Sequence, residues 1–192
     1  MIKDIILYGN PILTKSCAPV AQNEFNDELE EFVLDMIDTL KHHKAAGLSA
    51  PQVGVSKRIL LINQGTTQPL IFINPAIAEH TMDMETDEEG CLSLPGVVCA
   101  VPRLKNLTAT YQSIEGIASI GLLTDLEARI FQHELDHLNG KLMTFYLTPV
   151  RLGLIQGKLK RINKYRKFME KNGDILKQIH TTVEETETPN ME

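Results

Sequence analysis

Cysteine is scarce in this chain: Cys17, Cys91 and Cys99 are the three among 192 residues. So few, and an odd number, exclude a disulfide framework and predict free thiols in a reducing cytoplasm, with any one of them available as a metal ligand. No run of 18 apolar residues occurs, so no membrane-spanning helix is expected. The opening MIKDIILYGNP carries a lysine and an aspartate and only a three-residue apolar run, which is unlike a signal peptide. An excess of positive charge is also missing. A formal net charge of -6 and a pI near 5.5 argue against a nucleic-acid footprint over the whole protein. There is no internal repeat and no interior linker, so the length predicts one domain with a substantial core.

What is present falls into helical and strand-like stretches. Phe25, Leu29, Phe32, Val33, Met36, Ile37 and Leu40 recur at the helical period in an acidic segment, predicting an amphipathic helix over 24–42. AAGLSAPQVG (45–54), with two glycines and a proline, reads as a loop. RILLIN (58–63) and LIFINPAI (70–77) read as strands joined by a turn at QGTTQP, and VVCAVP (97–102) and LTATYQS (107–113) as two more. The acidic DMETDEEG (83–90) reads as a solvated loop. A second helix is expected over about 124–138, ended by Asn139-Gly140 in a left-handed cap. Residues 151–171 hold eight Lys or Arg and one acid, Glu170, and predict a helix with a basic face, packed through Leu152, Leu154, Ile155, Leu159 and Ile162. The polar TTVEETETPNME (181–192) is expected to be disordered. The domain reading is thus residues 1–168, with a helix end and acidic tail over 169–192.

The chemistry is carried by QHELDHLNG (132–140). His133 and His137, four apart on a helix, share one face about 6 Å apart and reach one ion. Glu134, one residue round, can accept a proton from an activated water without ligating. Random order at this composition would yield such a His-Glu-x-x-His about 0.015 times, so chance does not account for it. The isolated His42, His43, His80 and His180 are read as surface or satisfied core residues.

Two histidines make half a site. Of two metalloprotease continuations, one needs a histidine where Met143 stands. The other needs a downstream glutamate, yet between Leu138 and Met169 there is no Asp, Glu, His or Cys. The third ligand therefore lies upstream. Cys91, in the irregular EGCLSLPG, is a strong ligand for a borderline ion, and Gly90 before it permits close backbone approach. Asp125 and Glu127 compete more weakly. Cys17 and Cys99 read as buried inert thiols.

With GLSAPQVG (47–54), EGCLS (89–93) and QHELDHL (132–138) standing in order, the sequence resembles the peptide deformylase family over roughly residues 5–168. EGCLSLP with a long C-terminal helix is similar to the bacterial type carrying that extension. The resemblance implies an α+β fold: antiparallel sheets around a central metal-binding helix, with one helix at each end of the chain. It implies Cys91, His133 and His137 as ligands, Glu134 as the acid–base, and Gln52 with the Leu92 N–H as oxyanion donors. The implied reaction removes the formyl group from the N-terminal formyl-methionine of nascent polypeptides. Loops around Gly47 and Gly90 would bind the extended peptide, and Leu126 and Ile130 would line the methionine pocket, although both could equally be ordinary helix packing. The implied ion is Fe2+, with Zn2+ a replacement. The donor set equally suits Ni2+ or Co2+. The implied docking site for the basic end helix is the ribosome near its exit tunnel.

The chain departs from the family pattern at Ala45 and Asp125 (usually Gly), at Ser49 (usually Ala) and at Val98, where some relatives carry Arg. These are expected to alter the substrate loops and to touch neither the ligands nor the acid–base. A metallopeptidase or other amidohydrolase is the competing enzymatic reading. A non-catalytic ribosome-binding paralogue would leave Glu134 and Gln52 without a role.

Overall fold

In the computed structural model, Asn26 caps the first helix, α1 (Asp27–His42), by accepting from the Leu29 N–H at 3.1 Å. The structure describes the backbone of residues 1–63, 65 and 68–186, and side chains as far as residue 173. Acids in the first turn and Lys41 and His42 in the last both complement the helix dipole. α1 starts later than its periodicity suggests because Gln22–Glu24 form a separate 3-10 turn.

Seven strands follow: β1 (Gly47–Ser49), β2 (Ile59–Ile62), β3 (Leu70–His80), β4 (Met84–Gly90), β5 (Val98–Leu104), β6 (Asn106–Gln112) and β7 (Ala118–Thr124). The first three and last two form an antiparallel sheet in the order β1-β2-β3-β6-β7, and β4 and β5 form a separate hairpin. Between the two sheets runs the central helix α2 (Asp125–Leu138), and a long helix α3 (Pro149–Thr186) ends the described chain. This is the expected α+β arrangement.

Both faces of the larger sheet are covered, which explains the unbroken apolar run in β2. Leu60 and Ile62 join Phe72 and Leu107 against Ile130, Phe131 and Leu135 of α2. Ile59 and Leu61 point the other way, onto Val33, Met36 and Leu40 of α1. A strand buried on both faces loses the apolar–polar alternation. A third cluster joins Val97, Cys99 and Val101 to Leu142, Met143 and the α3 residues Leu159 and Ile162.

Gly140 ends α2 as expected, at φ +69° with its N–H donating to the His137 carbonyl at 3.1 Å. A Cβ there would also stand 2.8 Å from the Thr14 main chain, so glycine is required twice over.

Several sequence expectations need correction. DMETDEEG is not a solvated loop: residues 84–90 are β4, paired residue for residue with β5. Glu85, Asp87 and Glu88 are exposed, whereas Glu89 is buried. Residues 47–49, read as loop, are the edge strand β1, and β7 was not foreseen. On α3, Ile155, Leu159 and Ile162 form the packed stripe, whereas Leu154, about 100° round from Ile155, is 80% exposed and Leu152 is 38% exposed. The helix also continues to Thr186, beyond residue 181, because its first breaker in sequence is Pro189. Residues 187–192 lie outside the described residues, as do 64, 66 and 67 of the turn before β3 and the side chain of His180.

Candidate active site

Three segments meet at a cleft of about 420 Å³. α2 supplies His133, Glu134 and His137. The β1 edge and the following 3-10 turn (Ala50–Val53) supply Gly47, Ser49 and Gln52. The turn leaving β4 supplies Cys91 and Leu92.

One ligand atom from each of Cys91, His133 and His137 lies within 4.8 Å of the others. Cys91 Sγ stands 3.3 Å from His137 Nε2. Donors sharing a tetrahedral ion stand roughly 3–4 Å apart; the Cys91–His137 pair has that spacing, and a thiolate with two imidazoles is a donor set that suits a divalent ion of the borderline class. Burial opposes the Cys91 thiolate, but the imidazoles, His137 foremost, outweigh it and hold the thiol well below its ordinary value. The structure thus brings Cys91, and not Asp125 or Glu127, to the histidines. The latter two lie eight and six residues before His133, roughly 9–12 Å along the helix.

His133 is oriented from behind. Its Nδ1 lies 2.9 Å from Glu89 Oε2, which leaves Nε2 for the ion. Glu89 also accepts from Arg103 Nε and Nη2 and from Arg129 Nη1, each at 2.9 Å. Arg103 extends the network to Asp136 at 2.5 Å and stacks under the Tyr146 ring. Burial alone would raise the Glu89 pKa, but the bonds from His133 and Arg103 win and bring it down to about 2. Sequence reasoning gave Glu89, Arg103, Arg129, Asp136 and Tyr146 no role. One signal was available: Arg129, four residues before His133, had to share its helical face.

Glu134 is buried beside the donor set, and burial, ahead of the opposing pull of both histidines, pushes its carboxyl above the ordinary range. Gly47 makes room for it: a Cβ there would stand 2.6 Å from Glu134 Oε1 and 2.7 Å from Ile130 Cγ2. Gln52 is buried, and its Oε1 accepts from the Ser49 main-chain N–H at 2.8 Å. That bond turns Nε2 towards the site, 3.5 Å from Cys91 Sγ. Leu92 lines the cleft, and its N–H donates to no acceptor among the described residues.

The remaining expected residues also line the cleft. Leu126 is 65% exposed on its wall, so helix packing does not explain it, whereas Ile130 serves both cleft and core. Gly90 needs a different account from the sequence argument. A Cβ there would meet no protein atom within 4 Å, so glycine keeps space open in the cleft and does not permit a close backbone contact. Asp125 takes φ +46° at the head of α2, a conformation glycine adopts without strain. Cys17 and Cys99 are buried in the core, and His42, His43 and His80 are exposed, as expected.

An α+β frame that gathers a thiol and two imidazoles beside a buried carboxylate defines a metallohydrolase. The comparisons narrow the class. The family model of polypeptide deformylase matches residues 2–152. The peptide deformylase of Thermotoga petrophila is 39% identical over 155 residues, covering 81% of this chain and 93% of the relative. That of Fusobacterium nucleatum is 35% identical over 174 residues, covering 91% and 100%. A crystal structure of Plasmodium falciparum peptide deformylase superposes with a TM-score of 0.80 at 37% identity, covering 85% of this chain and 97% of that one. The chain belongs to the polypeptide deformylase family.

Proposed function

We propose that this protein is a metal-dependent hydrolase that removes the N-formyl group from formyl-methionine at the start of nascent polypeptides, releasing formate. The observation that carries the reading is the convergence of Cys91, His133 and His137 within 4.8 Å, beside buried Glu134. In this reading those three side chains hold the ion, which is Fe2+ in the cell, with Zn2+, Ni2+ or Co2+ as replacements. Any of these supplies Lewis acidity, polarising an amide carbonyl and making water nucleophilic near neutral pH.

The chain's own residues do the rest. Glu134 takes the water proton and returns it to the leaving amine. Gln52 Nε2 and the Leu92 N–H meet the negative charge that develops on the formyl oxygen, donors that exchange no proton with it. Leu126 and Ile130 receive the methionine side chain. The backbone around Gly47 and Gly90 aligns the peptide along the cleft. The catalytic domain spans residues 1–168, with 169–192 as helix end and tail, and the protein works in the cytoplasm. Among the described residues no helix is long and apolar enough to cross a membrane.

The test is formate release from a short formyl-methionyl peptide by protein purified anaerobically and assayed for metal. Activity should be present and should track metal content. Cys91→Ala should lose most of both, while Cys99→Ala, a core thiol with no ligand partner, should retain its metal. A Cys91→Ala enzyme with full metal content refutes the ligand assignment.

The basic face of α3 is the second element of the reading: it docks the enzyme on the ribosome near the exit tunnel, raising the local concentration of formylated ends. Lys160, Arg161, Lys164, Lys167 and Lys171 are exposed on it. Truncating α3 is a poor test, because Leu159 and Ile162 belong to the core. Reversing Lys160, Lys164 and Lys167 to Glu should instead leave peptide turnover intact and weaken ribosome co-sedimentation at low salt, the regime in which phosphate contacts dominate. Unchanged co-sedimentation rules out docking through this face.

A further inference from the structure

Ser49 sits at the end of β1 with no exposed surface, and, contrary to the expectation from sequence that it leaves the acid–base untouched, its hydroxyl meets two groups of the site. Its Oγ lies 2.8 Å from Gln52 Oε1 and 2.8 Å from Glu134 Oε2. A hydroxyl has one proton and can donate to one of these at a time. Gln52 Oε1 is already satisfied by the Ser49 main-chain N–H at 2.8 Å. Glu134 accepts from no other side-chain or main-chain donor among the described residues. Leaving a buried acceptor without any donor costs more than withholding a second bond from one already satisfied. The hydroxyl proton therefore belongs to Glu134.

We propose that Ser49 is a positioning residue for the hydrolysis. Its hydroxyl holds the Glu134 carboxylate and its main-chain N–H holds the Gln52 amide, so a single residue sets the proton carrier against the oxyanion donor. The inference rests on the assignment of Glu134 as acid–base made above.

The geometry makes the hydroxyl's share separable. Gln52 is held through the backbone, which any residue at position 49 provides, so the oxyanion donor does not depend on the side chain. Glu134 is held only through Oγ. Its other oxygen occupies the space that the missing Cβ of Gly47 leaves, and it accepts from no donor among the described residues. Without the hydroxyl, a side chain with three rotatable bonds keeps only non-directional packing against Gly47 and Ile130, and no hydrogen bond selects the rotamer that presents its carboxylate to the reacting water. The loss should then appear in turnover and not in substrate affinity, because neither the cleft wall nor the donor set changes.

The experiment is a double-mutant cycle on the metal-loaded enzyme with a short formyl-methionyl peptide: wild type, Ser49→Ala, Glu134→Asp and the double variant. Ser49→Ala removes one atom and adds none, so it should fold and keep its metal. We expect kcat to fall about tenfold with KM within about twofold of wild type, the pattern of an interaction that matters in the transition state. Aspartate is shorter by one methylene and out of the hydroxyl's reach. In the Glu134→Asp background, Ser49→Ala should therefore cost less than about twofold further. Wild-type kcat in Ser49→Ala overturns the proposal, as does a loss confined to KM. A full tenfold loss on top of Glu134→Asp also overturns it, since Ser49 would then act through something else. If Glu134→Ala itself turns over peptide like wild type, the acid–base assignment fails, and Ser49 has nothing to position.

Discussion

Replacing Glu134 with alanine should lower formate release by about a thousandfold while metal content stays at the wild-type level. The size is that of a lost general acid–base, which is typically worth 10²–10⁴-fold (roughly 3–5 kcal/mol of barrier). Retention of metal follows from the geometry. The donor set is Cys91, His133 and His137, and Glu134 lies beside it, tied to Ser49 at 2.8 Å. Stability should not suffer. The carboxyl is buried and raised above its ordinary range by that burial, so its removal relieves a desolvation cost, and the Ser49 hydroxyl keeps an acceptor in Gln52 Oε1 at 2.8 Å. The measurements are single-turnover formate release, metal analysis and a urea unfolding curve on the same preparation. Turnover within tenfold of wild type would reject the role; full loss of metal would mean that Glu134 ligates.

Glu89→Gln should have the largest effect on stability, lowering the unfolding free energy by about 3–5 kcal/mol, as expected when one member of a buried charge network is removed. Glu89 faces the guanidinium groups of Arg103 and Arg129 together with the His133 ring, all at 2.9 Å. Glutamine keeps the volume but turns an N–H donor towards donors. Metal affinity should fall as well, because the bond that orients His133 weakens. The same network predicts a pH dependence. The Glu89 pKa is lowered from 4.5 to about 2 on folding, so its contribution is complete above about pH 4.5 and is lost as pH falls towards 2. Wild-type stability measured by urea unfolding should drop across that window, and the Glu89→Gln profile should be flatter there. An equally steep profile in the variant would remove Glu89 as the source.

Local order explains what was legible in advance. A helix is written in residues three and four apart, so α1, α2 with its Gly140 cap, and the shared face of His133 and His137 could all be read directly from spacing. The ordered segments GLSAPQVG and EGCLS pointed to Gln52, Cys91 and Leu92 through family resemblance. The setting of Cys91 ranks it above Asp125 and Glu127, but no spacing argument settles it as the third ligand.

Tertiary structure alone decided the rest, because strand pairing joins residues far apart in sequence. In isolation, METDEEG is an acidic stretch that favours solvent; only pairing with Val98–Leu104 makes it β4, with Glu89 turned inward against Arg103. That pairing carries Cys91 to the histidines. The edge strand β1 likewise owes its existence to β2, and its three residues set Gly47 under Glu134 and the Ser49 hydroxyl between Glu134 and Gln52. The sequence determined which chemistry the chain carries, since ligand and acid–base types follow from side-chain identity. The fold determined which groups meet, since a buried charge is tolerated only where partners from other elements converge on it.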